Sequence, residues 1–332
     1  MYIRNMLLSG LAAASTAQAY ANYTIREEDF PAPTPAPAPT TPKRTLSRIF
    51  GLVGDLLGIN KDNDTPACPA IWTEISTTLT EQFLADGQCT DAARAAIRAS
   101  FHDCFNGACD GSLILANECS NAENKGLERL CGNLANLATQ TKVGVADLIQ
   151  FAAAHAIKTC PGGPTVPVKI GRKDSSTAGA VGVLPGPNER GGDLVRLFAS
   201  KGFTPTDLAA LIGAHTTAKQ RQADPSRAGA SFDSTPGVWD NKFYSETKSG
   251  NKAPFTLQSD RNLAQNPLTA IPFSAFALSK ARWDEAFVGA MVKMGLLGVR
   301  EQGLVDCTGA LPGGAGRKRE VRGGDVFDRL GW

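Results

Sequence analysis

Arg98-Ala-Ser-Phe101-His102-Asp103-Cys104-Phe105-Asn106-Gly107-Ala108-Cys109-Asp110-Gly111-Ser112 packs an arginine, a histidine, two aspartates and two cysteines into fifteen positions. Read as the end of a helix, it sets Arg98, Phe101 and His102 at i, i+3 and i+4, on one face. A guanidinium, an aromatic ring and an imidazole then converge on one pocket. That is a fixed cation, a steric wall and a base, enough for acid–base chemistry on a small polar molecule. Directly after them, Asp103, Asp110 and Ser112 place hard oxygens in a short loop flanked by Cys104 and Cys109, which suits a calcium ion. A lone histidine at a helix end is more often a core residue beside a turn. The density of matched parts argues for a site here.

A second histidine has a similar setting. In Asp207-Leu-Ala-Ala-Leu211-Ile212-Gly-Ala-His215-Thr216, the residues Leu208, Leu211, Ile212 and His215 fall at i, i+3, i+4 and i+7. A helix over 206–219 therefore turns His215 toward the interior. Ser231-Phe-Asp233-Ser-Thr235-Pro-Gly-Val238-Trp-Asp240 follows, and with Thr216 it makes a second oxygen-rich loop. Alone, an apolar-face histidine is usually a hydrogen-bonded core residue, and spaced acids are usually solvated turns. Two histidine segments that each lead into such a loop form a pattern.

Composition bounds the rest. With 332 residues, 42% of them hydrophobic, the chain can bury a large core in one domain or two lobes. A net charge of +2 gives no reason to expect nucleic acid or an anionic membrane as partner. The eight cysteines show neither a CxxC pair nor a zinc-type Cys/His spacing. Arg4, an apolar run over 6–14 and Ala17-Gln18-Ala19 read as a signal peptide over 1–19. No later run approaches the ~20 apolar residues of a membrane span. A secreted, disulfide-bonded protein is expected.

Residues 20–44 contain the proline-rich PAPTPAPAPTTP and end in Lys43-Arg44, either a processing site or two exposed charges closing a linker. Leu46, Ile49, Phe50, Val53, Leu56 and Leu57 give 45–65 an amphipathic pattern. The compact domain is expected over 66–312, and the glycine-rich, charged tail over 313–332 is expected to be disordered. Helical periodicity covers 71–84, 91–101, 145–158, 192–201, 206–219 and 274–294; the one alternating pattern of note is 166–170. The fold class is mainly α with minimal β. His155, on Phe151-Ala-Ala-Ala-His155, reads as structural.

With these residues in place the sequence resembles the secreted haem peroxidases of the plant and fungal superfamily, specifically the fungal class II type related to lignin and manganese peroxidases. The resemblance spans about 68–307. It rests on Arg98-x-x-Phe101-His102-Asp103-Cys104, Gly213-Ala-His215-Thr216, Phe232-Asp-Ser-Thr-Pro236 and Leu257-Gln-Ser-Asp260, in matching order and spacing. It implies two helical lobes, distal over about 66–185 and proximal over about 186–312, enclosing haem b, with two Ca²⁺ ions.

The resemblance also implies roles. His215 is the proximal iron ligand, and Asp260 accepts its ring N–H. His102 is the distal base, which takes a proton from peroxide and returns it to the leaving oxygen. Arg98 stabilises charge developing as the O–O bond breaks. Asn124, in Ala122-Glu123-Asn124-Lys125-Gly126, holds His102 in the tautomer with a free Nε2, and Glu118 connects this network to the distal calcium loop. Phe101 shields the iron's oxygen from bulky molecules. Lys219 and Arg221 either pair with haem propionates or are ordinary surface charge. Distal calcium ligands are Asp103, Asp110 and Ser112, with carbonyls near Asn106 and Ala108. Proximal ligands are Thr216, Asp233, Thr235 and Asp240, with the Val238 carbonyl. The cysteines pair as Cys68–Cys307, Cys89–Cys160, Cys104–Cys109 and Cys119–Cys131.

Departures from the family pattern bear on the donor. Manganese-oxidising relatives use three carboxylates where this chain has Asp91, Ala95 and Arg221, so a Mn²⁺ site is not expected. Lignin-oxidising relatives carry a surface tryptophan five residues before the proximal histidine, where this chain has Ala210. Trp239 is expected to pack rather than to relay electrons. Hydrogen peroxide and small phenolic or aromatic donors, oxidised at the haem edge by a monomeric enzyme, are the expected partners. Two alternatives stand beside this reading. One is lignin or Mn²⁺ oxidation through an unrecognised surface site; the other is a secreted haem- and calcium-binding protein without turnover. A scavenger has no need of Arg98, His102 and Asn124 together.

Overall fold

The computed structural model describes residues 67–314. The expected signal peptide, proline-rich segment and amphipathic extension lie outside the described residues, as does nearly all of the expected tail. Within the described part, eleven α-helices follow one another: α1 Ile71–Phe83, α2 Asp91–Phe105, α3 Ser112–Leu115, α4 Glu128–Thr141, α5 Val145–Thr159, α6 Gly191–Ser200, α7 Pro205–Leu211, α8 Lys242–Ser249, α9 Gln258–Gln265, α10 Ala270–Leu278 and α11 Lys280–Met294. Strand among the described residues is confined to two short antiparallel ladders. They pair β1 (Leu84–Ala85) with β2 (Gln88–Cys89), and β3 (Lys169–Ile170) with β4 (Val305–Asp306). The fold is mainly α, as expected. No helix among the described residues is long and apolar enough to cross a membrane.

The centre of the molecule is α5, buried at every position from Val145 to Ile157. A helix apolar all round belongs inside. Its polar residues are each satisfied, as burial demands. Asp147 pairs with Arg172 at 3.0 Å and takes the Gly171 N–H at 2.7 Å. His155 bonds Ser76 and Thr159. Against α5 lies α2, started by Thr90, whose hydroxyl accepts from the Ala93 N–H at 3.3 Å. On the other side of the core α7 packs on α11; a full capping box, Thr204 with Asp207, opens α7. All four cysteine pairs implied by the resemblance are disulfides, and no free cysteine remains among the described residues.

Four expectations need correction. The helix expected over 91–101 continues to Phe105, so Asp103 and Cys104 are helical rather than part of a loop. Apolar periodicity over 206–219 does not sustain one α-helix: α7 stops at Leu211 and Ile212–Thr217 tightens into a 3-10 segment. Close packing accounts for this change, since a Cβ on Gly213 would collide with the Tyr244 hydroxyl and the Trp283 indole nitrogen. The helix expected over 274–294 is two helices, broken at Ser279. That residue is extended (φ −145°, ψ 105°) and caps α11 through the Arg282 N–H. The strand expected over 166–170 is reduced to Lys169–Ile170. Helices α3, α4, α8 and α9 have no counterpart in the sequence expectations; α3 is a single turn, and α8 and α9 are short and polar.

Candidate active site

One cavity of about 470 Å³ collects the residues that the sequence singled out: Arg98, Phe101 and His102 from α2, and His215, Lys219 and Arg221 from the segment after α7. That size suits a cofactor or small-molecule site.

On α2 the i, i+3, i+4 geometry holds. Arg98 Nε donates to His102 Nε2 at 3.0 Å. The guanidinium is fixed by two carbonyls, Lys125 O at 2.9 Å and Glu123 O at 2.8 Å. On the other ring edge, His102 Nδ1 lies 2.6 Å from Asn124 Oδ1. Asn124 spends its amide N–H on the Glu118 carbonyl at 2.8 Å, so its oxygen faces the imidazole. Nδ1 therefore carries the ring proton and Nε2 keeps its lone pair. Burial, first, and the Arg98 charge, second, push the His102 pKa down to about 3. The ring is neutral at any ordinary pH. Phe101 stands beside it, ring centroids 5.7 Å apart and edge-on, held by stacking on Phe105 at 4.8 Å.

Glu118 extends the network in two directions. Its carboxylate takes the Asn106 amide at 2.8 Å and the Gly179 N–H at 2.9 Å. The side chain of Asn106 thus serves Glu118, and its own Oδ1 is buried without a hydrogen-bond partner. Asp103, nearly fully buried, accepts from the Gly111 N–H (3.2 Å) and the Leu113 N–H (3.2 Å). Asp110 Oδ1 accepts from the Ser112 N–H at 3.1 Å, and the Ala108 carbonyl from the Asp110 N–H at 3.0 Å. Burial, with Asp110 and Glu118 close by, raises the Asp103 pKa to about 7.

His215 is set differently. Its Nδ1 faces both oxygens of fully buried Asp260, at 3.2 and 3.3 Å. Nδ1–H donates to the carboxylate, which leaves Nε2 as the free ring nitrogen. Asp260 Oδ1 is a buried oxygen without a full hydrogen bond of its own. Phe232 stacks on the imidazole at 4.7 Å and Phe243 abuts it edge-on at 5.6 Å. Beside it, Thr216 Oγ1 donates to Asp233 Oδ2 at 2.6 Å and Thr235 Oγ1 to Asp240 Oδ2 at 2.8 Å, while the Val238 N–H bonds the Thr235 carbonyl. Burial, with Asp240 and Glu246 near, raises the Asp233 pKa to about 6. Each cluster thus holds carboxylates close together, which burial penalises, and in the distal one the buried Arg172, paired with Asp147, offsets part of the charge on Asp103. Among the described residues no three His, Cys, Asp or Glu side chains group as metal ligands.

Lys219 and Arg221 line the cavity and share Asp91, at 3.2 and 3.7 Å. Sequence reasoning missed the parts of the site that arise between distant segments. These are the two carbonyls that hold Arg98, the Phe232 ring under His215 and the Gln222 amide, which bonds the Ala122 carbonyl at 3.1 Å. None of these has a local signature, because each joins positions 17 to 100 residues apart.

The residues present fit a haem. The cavity has predominantly apolar walls, one histidine with Nε2 free and Nδ1 tied to a buried carboxylate, and a second, neutral histidine beside a guanidinium.

The peroxidase family model matches residues 75–279. The chain is 32% identical over 260 residues to a low-redox potential peroxidase of Taiwanofungus camphoratus, covering 73% of this chain and 77% of that protein. It is 29% identical over 284 residues to manganese peroxidase 3 of Phlebia radiata, covering 76% and 78%. It is 28% identical over 274 residues to a peroxidase of Arthromyces ramosus, covering 73% and 75%. The chain belongs to the peroxidase family, as a haem peroxidase of the fungal class II group.

Proposed function

We propose that this peroxidase is secreted, reduces hydrogen peroxide, and oxidises phenolic or similar low-potential donors by one-electron steps at the haem edge. One observation carries the reading: Arg98, His102 and His215 line a single cavity, with Asn124 and Asp260 bonded to the far ring nitrogens of the two histidines.

In this reading His215 Nε2 would hold the haem iron, and Asp260, accepting Nδ1–H, would make the imidazole a stronger donor. When bound, haem supplies the redox chemistry at which the peroxide O–O bond breaks. His102 Nε2, with its lone pair free of a proton, takes the peroxide proton and returns it to the departing oxygen. Arg98, held by two carbonyls, keeps its charge beside that lone pair and stabilises the negative charge of bond cleavage. Asn124 fixes the His102 ring, and Phe101 narrows the space around it. Lys219 and Arg221, which line the cavity and share Asp91, would pair with the haem carboxylates.

Calcium completes the reading. A distal ion would take Asp103, Asp110 and Ser112, with oxygens at Asn106 and Ala108; a proximal ion would take Thr216, Asp233, Thr235, Val238 and Asp240. The buried carboxylates of each set support it. The ions would pin the C-terminal end of α2 and the His215 segment, where small displacements cost much activity.

Two observations support a low-potential donor. Asp91, the one acid left of a three-carboxylate arrangement, is already paired with Arg94, Lys219 and Arg221. Ala210 is fully buried, so its position offers no surface relay. The similarity to a low-redox potential peroxidase points the same way.

The test is spectroscopic. Purified protein is expected to show a Soret band that shifts with one equivalent of peroxide and returns on adding guaiacol. No Soret band after haem reconstitution overturns the reading. A Mn²⁺ titration that saturates at micromolar concentration overturns the donor class alone.

A further inference from the structure

Helix α10 holds no charged residue, whereas the buried α5 holds Asp147, and yet α10 stands at the surface. From Asn262 to Ser279 the chain has no ionisable side chain at all. A helix that is apolar all round belongs inside. On its inner side α10 obeys this rule, with α7, α8, α9 and α11 packed around it. Phe273 and Phe276 are buried there, their rings 4.7 and 5.6 Å from that of Tyr244. On its outer side the rule is broken. Leu268 is 60% exposed, Ile271 78% and Leu278 88%, three of the six large apolar side chains exposed among the described residues. Clustered exposure of this kind marks an interaction surface.

These residues share one face. Ile271, Ala275 and Leu278 fall at i, i+4 and i+7 on α10. Leu268 lies in the turn before them. The Ala270 N–H bonds the Asn266 carbonyl at 2.8 Å, an i to i−4 bond that keeps this turn on the helical path. Positions 268, 271, 275 and 278 thus have the alternating three- and four-residue spacing of a heptad seam. That spacing is symmetric about its middle. Turned end for end it falls on itself: 268 meets 278, and 271 meets 275. Sizes obey the same symmetry. Leucine meets leucine at both ends, and Ile271 meets the small Ala275, so each large side chain between them has room opposite it. The absence of charge fits as well. A two-fold contact sets a patch against itself, and a charge close to the axis would meet its like.

We propose that this face receives a second copy of the chain, α10 lying antiparallel to α10 about a two-fold axis. Leu268, Ile271, Ala275 and Leu278 of each copy form the seam. With three large side chains per copy the contact is small, under about 1,200 Å² in total, the class of weak and transient interfaces. The chain is therefore a monomer when dilute and pairs as its concentration rises. None of this depends on the peroxidase reading.

The experiment is sedimentation equilibrium of the haem-loaded protein from about 1 to 500 µM, since pairing of identical chains follows mass action. The average mass is expected to climb from that of one copy toward that of two. Leu268→Lys and Leu278→Glu lie at exposed positions and should leave the melting point unchanged. Each should weaken pairing roughly 10-fold or more, because one substitution enters a two-fold contact twice. The double variant Leu268→Lys/Leu278→Glu should regain it. The introduced cation of one copy then faces the introduced anion of the other at both ends, while ten positions separate the two within a copy. A single mass at every concentration overturns the proposal. So does pairing that both single substitutions leave unmoved, or that the double variant fails to regain. Flotation of a persistently monomeric chain with phosphatidylcholine vesicles, lost in Leu278→Glu, would give the face to a lipid surface and overturn the proposal equally.

Discussion

His102 and His215 line the same cavity, yet the chain surrounds them in opposite ways. His102 sits on a regular α-helix, buried, with a cation on one ring nitrogen and a neutral amide on the other. His215 sits on a 3-10 turn, with 26% of its side chain exposed and a buried carboxylate on Nδ1. A cation beside an imidazole keeps it neutral and available as a base; a carboxylate behind it makes it a better electron donor. His155 is the control. Its polar partners are Ser76 O, Thr80 Oγ1 and Thr159 Oγ1, it faces the rings of Phe83 and Phe151, and it is not among the residues lining the cavity that the other two share. Identical side chains thus sit in three electrostatic settings, set by the neighbours on their ring nitrogens.

The sharpest way to break this comparison is His102→Ala. The haem spectrum should persist while the second-order rate with peroxide falls about 10²–10⁴-fold, the usual contribution of a positioned acid–base group. A stopped-flow rate near that of the unsubstituted protein would remove His102 from its proposed role.

Next in size is the behaviour of His155. Burial pushes its pKa down to about 4 from the ordinary 6.5. The unfolded chain therefore binds more protons between those values, and stability rises with pH from about 4 to 6.5 and levels above. At full extent the effect is about 3 kcal/mol. Thermal melts across that range should steepen toward acid, and His155→Gln should flatten the slope. An unchanged slope would mean that other groups control acid stability.

Removal of calcium bears on both active histidines together. Chelation should lower the melting point by about 5–10 °C, as expected for loss of an ion present near 100 times its Kd. Soret perturbation should accompany it, because the proposed sites border both histidine segments. A chelator that moves neither would count against both ions.

The smallest expected change comes from Asp260→Asn, roughly 10–100-fold in peroxidase rate. The amide keeps the shape but loses the charge. If the rate holds while Asp260→Ala fails to fold, the carboxylate is a packing element only.

Much of the site was legible at once. The spacing of Arg98, Phe101 and His102 sets a common face whatever the helix packs on, because helical geometry is local. The resemblance placed Asn124 and Asp260 beside their histidines, more than 20 residues away in sequence. The end of the helix before His215 was not legible. Apolar periodicity continues through Ile212, and the change to a 3-10 turn answers to the Tyr244 and Trp283 side chains crowding Gly213. The break at Ser279 is of the same kind: residues 274–294 read as one helical run, and the chain turns so that α10 meets α8 while α11 meets α7.

The sequence by itself determined the fold class, the two histidine segments with their oxygen-rich loops, and the absence of the acids and the tryptophan that would widen the donor range. Those features are local patterns or residue identities. Only the tertiary structure decided how charge is distributed along the cavity lining. Asp91 opens one helix, Lys219 and Arg221 lie more than 120 residues later, and their cluster exists only where folding brings them together. Charge at a distance is a property of positions in space, and no spacing along the chain encodes it.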